Sequence, residues 1–126
     1  MKKILLATMM LGLLAAFGLT STTLAEDSSD AVMTWTGEVI DIACYIPKGA
    51  KGEAHAGCAK SCVKNGQPMG LLTDDGVVYL LTADHKDGAP FEALKDLAGE
   101  NASVTGSLAE KGGMKMINVT GSKAAA

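Results

Sequence analysis

Residues 32–42 have the sequence VMTWTGEVIDI, in which apolar and polar positions partly alternate and β-branched and aromatic side chains are frequent. This pattern is typical of a β-strand with one buried face. Gly37 interrupts the strand, and a glycine inside a strand indicates a bulge or a sharp bend rather than regular pairing. We therefore predict a first strand that bends at Gly37 and passes from one sheet face to another.

Two later parts of the chain predict β-hairpins. Residues 69–73 and 77–82 are short apolar runs joined by Asp74-Asp75-Gly76, which is a strong turn signal. Residues 102–108 and 114–119 form a second such pair, joined by a polar, glycine-rich connection. The sequence thus predicts four strands after the first.

Two segments predict helices. Residues 53–64 are rich in Ala, Glu, Lys and Cys and end at Asn65-Gly66, a common helix stop. Residues 90–99 begin with proline, end with glycine and place Phe91, Leu94 and Leu97 on one stripe, which predicts a short amphipathic helix.

The order of these elements predicts a fold class. Five strands with a helix between the third and the fourth is the order of an OB-fold, a small Greek-key β-barrel. We predict a mainly β, five-stranded OB-fold-like barrel over residues 32–121, with the helix at 53–64 inserted between strands 1 and 2. Residues 26–31 are expected to be a flexible leader and residues 122–126 a disordered tail.

Residues 98–106, AGENASVTG, resemble the turn from helix to fourth strand in small exported bacterial OB-fold proteins, and residues 36–39, TGEV, resemble their opening. The resemblance extends over roughly residues 34–120. It implies a fold rather than a function. The chain departs from it in the long connection between strands 1 and 2, and loops at that end of an OB barrel often shape a binding site.

That connection contains all three cysteines of the chain and one of its two histidines: Cys44, His55, Cys58 and Cys62. On a helix, the spacing of His55, Cys58 and Cys62 places the three side chains on one face. Thiolates and imidazole select Cu(I) and Zn(II), and three cysteines with one histidine can complete a tetrahedral shell. We therefore predict that these four residues bind copper or zinc.

Two other interpretations remain open. A disulfide from Cys44 to Cys58 or Cys62 would stabilise a small domain by about 2–4 kcal/mol and leave a barrel whose face binds a peptide, a glycan or an envelope partner. A thiol oxidoreductase using Cys58 and Cys62 would need a lowered thiol pKa. The sequence contains no Ser-His-Asp set, spaced carboxylate pair or phosphate-binding glycine loop, so a hydrolase is not supported and an enzyme is less expected than a binding protein.

The first residues predict the compartment. Lys2 and Lys3 precede an uncharged apolar stretch and then small polar residues, which is the layout of a secretory signal peptide. We place the cleavage after Ala25, although the uncharged span is also long enough for an uncleaved membrane anchor. The mature protein is then expected in the periplasm or outside the cell, free of the membrane.

The charge balance excludes one class of partner. After cleavage, nine lysines stand against fourteen acidic residues, a formal charge of −5, and the chain has no arginine. Nucleic-acid backbones are bound by clustered lysine and arginine, so we expect no nucleic-acid partner. The expected partners are a metal ion or an envelope protein.

Overall fold

A computed structural model describes residues 31–126. The predicted signal peptide and residues 26–30 of the predicted leader lie outside this range. Within it, no helix is long and apolar enough to cross a membrane. The elements in chain order are β1 (Val32–Asp41), α1 (Ile42–Lys48), α2 (Glu53–Lys64), β2 (Met69–Leu72), β3 (Val78–Ala83), α3 (Ala89–Leu94) with a 3-10 turn (Lys95–Leu97), β4 (Asn101–Lys111) and β5 (Met114–Ala124).

The five strands close into a barrel in the order β1-β2-β3-β5-β4, with β4 pairing back onto β1. Neighbouring strands are antiparallel except β3 and β5, which are parallel. α2 lies in the connection between β1 and β2, and α3 lies between β3 and β4. The predicted fold class, a five-stranded OB-fold-like barrel with these two helices, is confirmed.

Gly37 lies where β1 changes partners. Residues 32–38 of β1 pair with β4, and residues 38–41 pair with β2. A Cβ atom at Gly37 would lie 2.4 Å from the backbone oxygen of Leu72. Only glycine allows this approach, so Gly37 is required at the point where β1 passes from one partner strand to the other.

The barrel interior is filled by side chains that alternate along the strands. Val39, Leu71, Val104, Ile117 and Val119 are completely buried. Helix residues cover this core from outside the strands: Ala59 and Val63 from α2, and Leu94 from α3. α2 therefore packs against the barrel with one face, and that contact fixes the position of the cysteines it carries.

The helix α1 was not predicted, and it begins at Ile42, which the sequence pattern placed in the first strand. The carboxylate of Asp41 accepts a hydrogen bond from the backbone N–H of Ala43 at 2.9 Å and caps the helix. Pro47 lies in the last turn, where it cannot donate a backbone hydrogen bond, and the helix ends at Gly49, whose φ is 65°. Asp41 is thus both the last residue of β1 and the cap of α1. The strand pattern alone does not indicate that the strand ends there.

The predicted disordered tail is wrong for residues 122–124. These residues continue β5 and pair with residues 102–104 of β4. The register shifts between Thr105 and Gly106, and the two strands are paired on both sides of this irregularity. The hydroxyl of Ser122 also donates to the backbone oxygen of Pro90 at 2.6 Å, which ties the end of β5 to α3.

Gly99 brings α2 close to the barrel, which leads to a test. Its φ is 83°, and a Cβ atom there would lie 2.5 Å from Cα of Ala56. We expect Gly99→Ala to lower the free energy of unfolding by about 1–2 kcal/mol for the left-handed conformation. Overlap with α2 should cost a further amount of about 1–3 kcal/mol. Urea denaturation measures the sum.

Gly76→Ala is the matched control, because Gly76 has the same φ of 83° but nothing within 4 Å of the added Cβ. It should show only the conformational cost. Equal losses in the two variants would mean that α2 is not held against the barrel at Gly99.

Candidate metal centre

The site begins at Asp41, the last residue of β1 and the cap of α1. Asp41 is 1% exposed and is the one buried charged residue within residues 31–126. Its Oδ1 atom is used by the cap, which directs Oδ2 elsewhere. Cys44 follows one helical turn later, so the start of α1 places a thiol and a carboxylate on the same side.

The second helix, α2, brings the other predicted ligands. The carboxylate of Glu38 on β1 accepts a hydrogen bond from the backbone N–H of Gly52, which precedes α2. Lys60 of α2 pairs at 2.6 Å with Glu100, which directly precedes β4. Between these contacts, Ala59 and Val63 are buried against the barrel. The helix is therefore held in one orientation at its start, along its buried face and by an ion pair to the barrel.

The structure brings the three thiols together. The Sγ atoms of Cys44, Cys58 and Cys62 all lie within 4.8 Å of one another. No disulfide joins them in the described part of the chain; Cys58 is exposed, and Cys44 and Cys62 are half-buried. Cys58 and Cys62 reach this position because they lie one turn apart on α2, as their spacing predicts.

A second triad overlaps the first. Ligand atoms of Asp41, Cys44 and His55 also lie within 4.8 Å of one another. The four predicted ligands are thus divided between two groups that share Cys44, with His55 in the group that does not include Cys58 and Cys62. Sequence reasoning missed Asp41, because a polar residue at the end of an alternating strand resembles an ordinary solvent-facing position.

Two buried polar atoms on residues of the second triad lack a hydrogen-bond partner other than the thiols beside them. Apart from the neighbouring thiols, no donor within residues 31–126 reaches Oδ2 of Asp41, and nothing there bonds to Nε2 of His55. Leaving a buried polar group unsatisfied costs about 1–3 kcal/mol, and more for a charged group. Two such atoms in one cluster of ligand-type side chains point to a bound ligand rather than to packing.

The carboxylate of Asp41 controls the ionisation of the thiols. Hydrogen bonding to Asp41 raises the pKa of Cys62 to about 12, with smaller contributions from burial and from Cys58. The same carboxylate is the main cause that raises the pKa of Cys44, while Lys48 lowers it slightly. Both thiols are therefore protonated at neutral pH unless a metal ion displaces their protons.

The cluster can hold a metal ion. Thiolates bound to Zn(II) at about 2.3 Å in a tetrahedron are about 3.8 Å apart. Sulfur atoms within 4.8 Å of one another reach that spacing by small side-chain rotations. The ligand types are those that Zn(II) and Cu(I) select.

Comparison with protein-family models, curated proteins and solved structures finds no match to this chain. The chemistry of the cluster is therefore the basis for assigning a function.

The effect of Asp41 on the thiols is testable. Asp41→Asn keeps the helix cap, because asparagine accepts the same N–H, but it replaces the carboxylate that holds the thiol proton by a weaker, uncharged acceptor. The pKa of Cys62 should fall, and metal-free Cys62 should be alkylated severalfold faster at about pH 9, since the thiolate is the nucleophile. Iodoacetamide labelling followed by peptide mass spectrometry measures this rate.

Asp96→Asn is the control. Asp96 pairs at 2.5 Å with Lys64, which lies on α2 as Cys62 does, but Asp96 itself lies outside the cluster. It should leave the rate at Cys62 unchanged. If both variants react at the wild-type rate, Asp41 does not govern the thiol.

Proposed function

We propose that this protein binds a soft or borderline metal ion, Cu(I) or Zn(II), in an exported compartment and acts in metal handling. The observation that carries the proposal is the convergence of three unpaired thiols within 4.8 Å on two separate helices. α1 contributes Cys44, and α2 contributes Cys58 and Cys62. Asp41 and His55 complete the ligand set from the buried side.

The number of thiols favours metal over a structural disulfide. The predicted signal peptide would send the chain to an oxidising compartment, where thiols tend to pair. Three cysteines leave one without a partner after any pairing, whereas one metal ion uses all three. Metal coordination thus explains why an odd number of thiols is gathered at one point.

The ionisation of the thiols does not favour an oxidoreductase. A catalytic cysteine attacks as a thiolate and needs a lowered pKa. The pKa values of Cys44 and Cys62 are instead raised, mainly by Asp41. A metal ion overcomes this because it replaces the protons directly, so its binding releases protons to solvent.

The ligand set is compatible with both ions in different geometries. Three thiolates alone suit the softer Cu(I), whereas addition of His55 or Asp41 gives the mixed ligands typical of Zn(II). The exposed side of Cys58 leaves the cluster open to an incoming ion. These properties suit a protein that takes up and passes on a metal ion.

Cys62→Ser tests the proposal. Loss of a residue that merely orients a ligand costs about 10–100-fold in metal affinity, so loss of a ligand should cost at least as much. We expect at least a tenfold weaker affinity for Cu(I) or Zn(II), measured by competition with a chelator of known affinity under reducing conditions. The metal-free stability should change little, because Cys62 is not part of the buried core.

Ser61→Ala is the matched control, since Ser61 is an exposed neighbour on the same helix. It should bind metal as the wild type does. Equal affinities of Cys62→Ser and wild type would exclude Cys62 as a ligand. A stability loss of Cys62→Ser of about 2–4 kcal/mol seen only under oxidising conditions would instead identify a structural disulfide and the alternative binding module.

A further inference from the structure

The two triads share one atom, the sulfur of Cys44. The sulfur of Cys44 lies within 4.8 Å of the ligand atoms of Cys58 and Cys62, and also of those of Asp41 and His55. A thiolate can bind two metal ions at once, because it carries several lone pairs. Cys44 is therefore placed to bridge two ions rather than to complete a single shell.

The charge of the ligands favours two ions over one. When a metal displaces the thiol protons, three thiolates and Asp41 carry a charge of −4 and His55 is neutral. One Zn(II) leaves −2 in the cluster, and one Cu(I) leaves −3. Asp41 is 1% exposed, and an uncompensated charge at such a position is costly.

We propose that the cluster holds two divalent ions of the zinc class, one bound by Cys44, Cys58 and Cys62 and the other by Asp41, Cys44 and His55. The thiolate of Cys44 is the bridge. This inference rests on the proposed function and extends it from one ion to two. Two divalent ions balance the charge of −4.

The second site also accounts for the buried atoms without partners. Oδ1 of Asp41 accepts the hydrogen bond that caps α1, which leaves Oδ2 as the oxygen available to bind a metal ion. Nε2 of His55 is buried and accepts no hydrogen bond within residues 31–126. A metal ion would satisfy both atoms together, which a single ion at the three thiols would not do.

The test is the zinc content of the reduced protein after loading with excess Zn(II) and removal of unbound metal, measured by mass spectrometry of the metal and by native protein mass. The wild type should hold two zinc ions per chain. Asp41→Asn and His55→Ala should each hold about one, because they disrupt only the second triad. His85→Ala is the matched control, since His85 is exposed and outside the cluster, and it should hold two.

A second measurement uses the wild type alone and does not depend on the folding of any variant. Co(II) replaces Zn(II) and is paramagnetic. If the ions share a thiolate, the second equivalent of Co(II) should weaken the electron paramagnetic resonance signal per ion through magnetic coupling. Two independent sites would instead give a signal that doubles.

The outcomes separate this inference from the proposed function. One zinc ion in the wild type that is retained in Asp41→Asn and His55→Ala would overturn the two-ion site while leaving metal binding at the thiols intact. Two ions with an uncoupled Co(II) signal would overturn the bridge. Binding of no zinc and no Cu(I) by the wild type would overturn both the inference and the proposed function.

Discussion

The whole structure depends on a single strand that pairs with two neighbours. β1 pairs with β4 through residue 38 and with β2 from residue 38 onward, and this double pairing closes the barrel. The close approach of Gly37 to Leu72 is the local requirement for this change of partner. Because β1 ends inside the barrel wall at Asp41, its last residue is buried and carries its charge into the protein.

Asp41 links the fold to the site. Its first carboxylate oxygen caps the start of α1, which positions Cys44, and hydrogen bonding of the thiols to this carboxylate raises the pKa values of Cys44 and Cys62. A buried carboxylate costs free energy in the metal-free protein, because burial removes it from water and the neutral thiols beside it do not balance its charge. The cluster therefore gains more from a cation than a set of exposed cysteines would, and this gain depends on the same residue that terminates β1.

Much of the fold could be predicted from local sequence signals. The bounds of α2 agree with the prediction of residues 53–64, because composition and the Asn65-Gly66 stop are local features. The hairpins were predicted from their turns, but β4 and β5 are longer than expected, since residues 109–111 and 120–124 are held by strand pairing rather than marked by an apolar pattern. α1 was missed because its cap depends on where β1 leaves the barrel.

Only part of the site could be predicted, because local spacing shows which residues of one helix lie together but not how separate elements are placed. Helical spacing indicated that Cys58 and Cys62 lie together, and the position of Cys44 in the preceding segment suggested that it joins them. The division of the ligands into two triads depends on how α1 and α2 are each placed against β1, which no spacing reveals. Asp41 could have been found from one signal, its place directly after the apolar pair Val39-Ile40 and three residues before Cys44, where a capping carboxylate faces the next turn.

The exposure of the ligands forms a gradient that bears on how a metal ion enters. Cys58 is exposed, Cys44 and Cys62 are half-buried, and Asp41 is 1% exposed. Under the proposed function, an ion from solvent would meet Cys58 first and the carboxylate last, so the three thiols would bind before Asp41 and His55 contribute. Loading of a second ion would then complete charge neutralisation at the buried end. In the reverse direction, a competing thiol would reach the metal at Cys58 without opening the barrel, so the proposed exchange of metal would not require the fold to change.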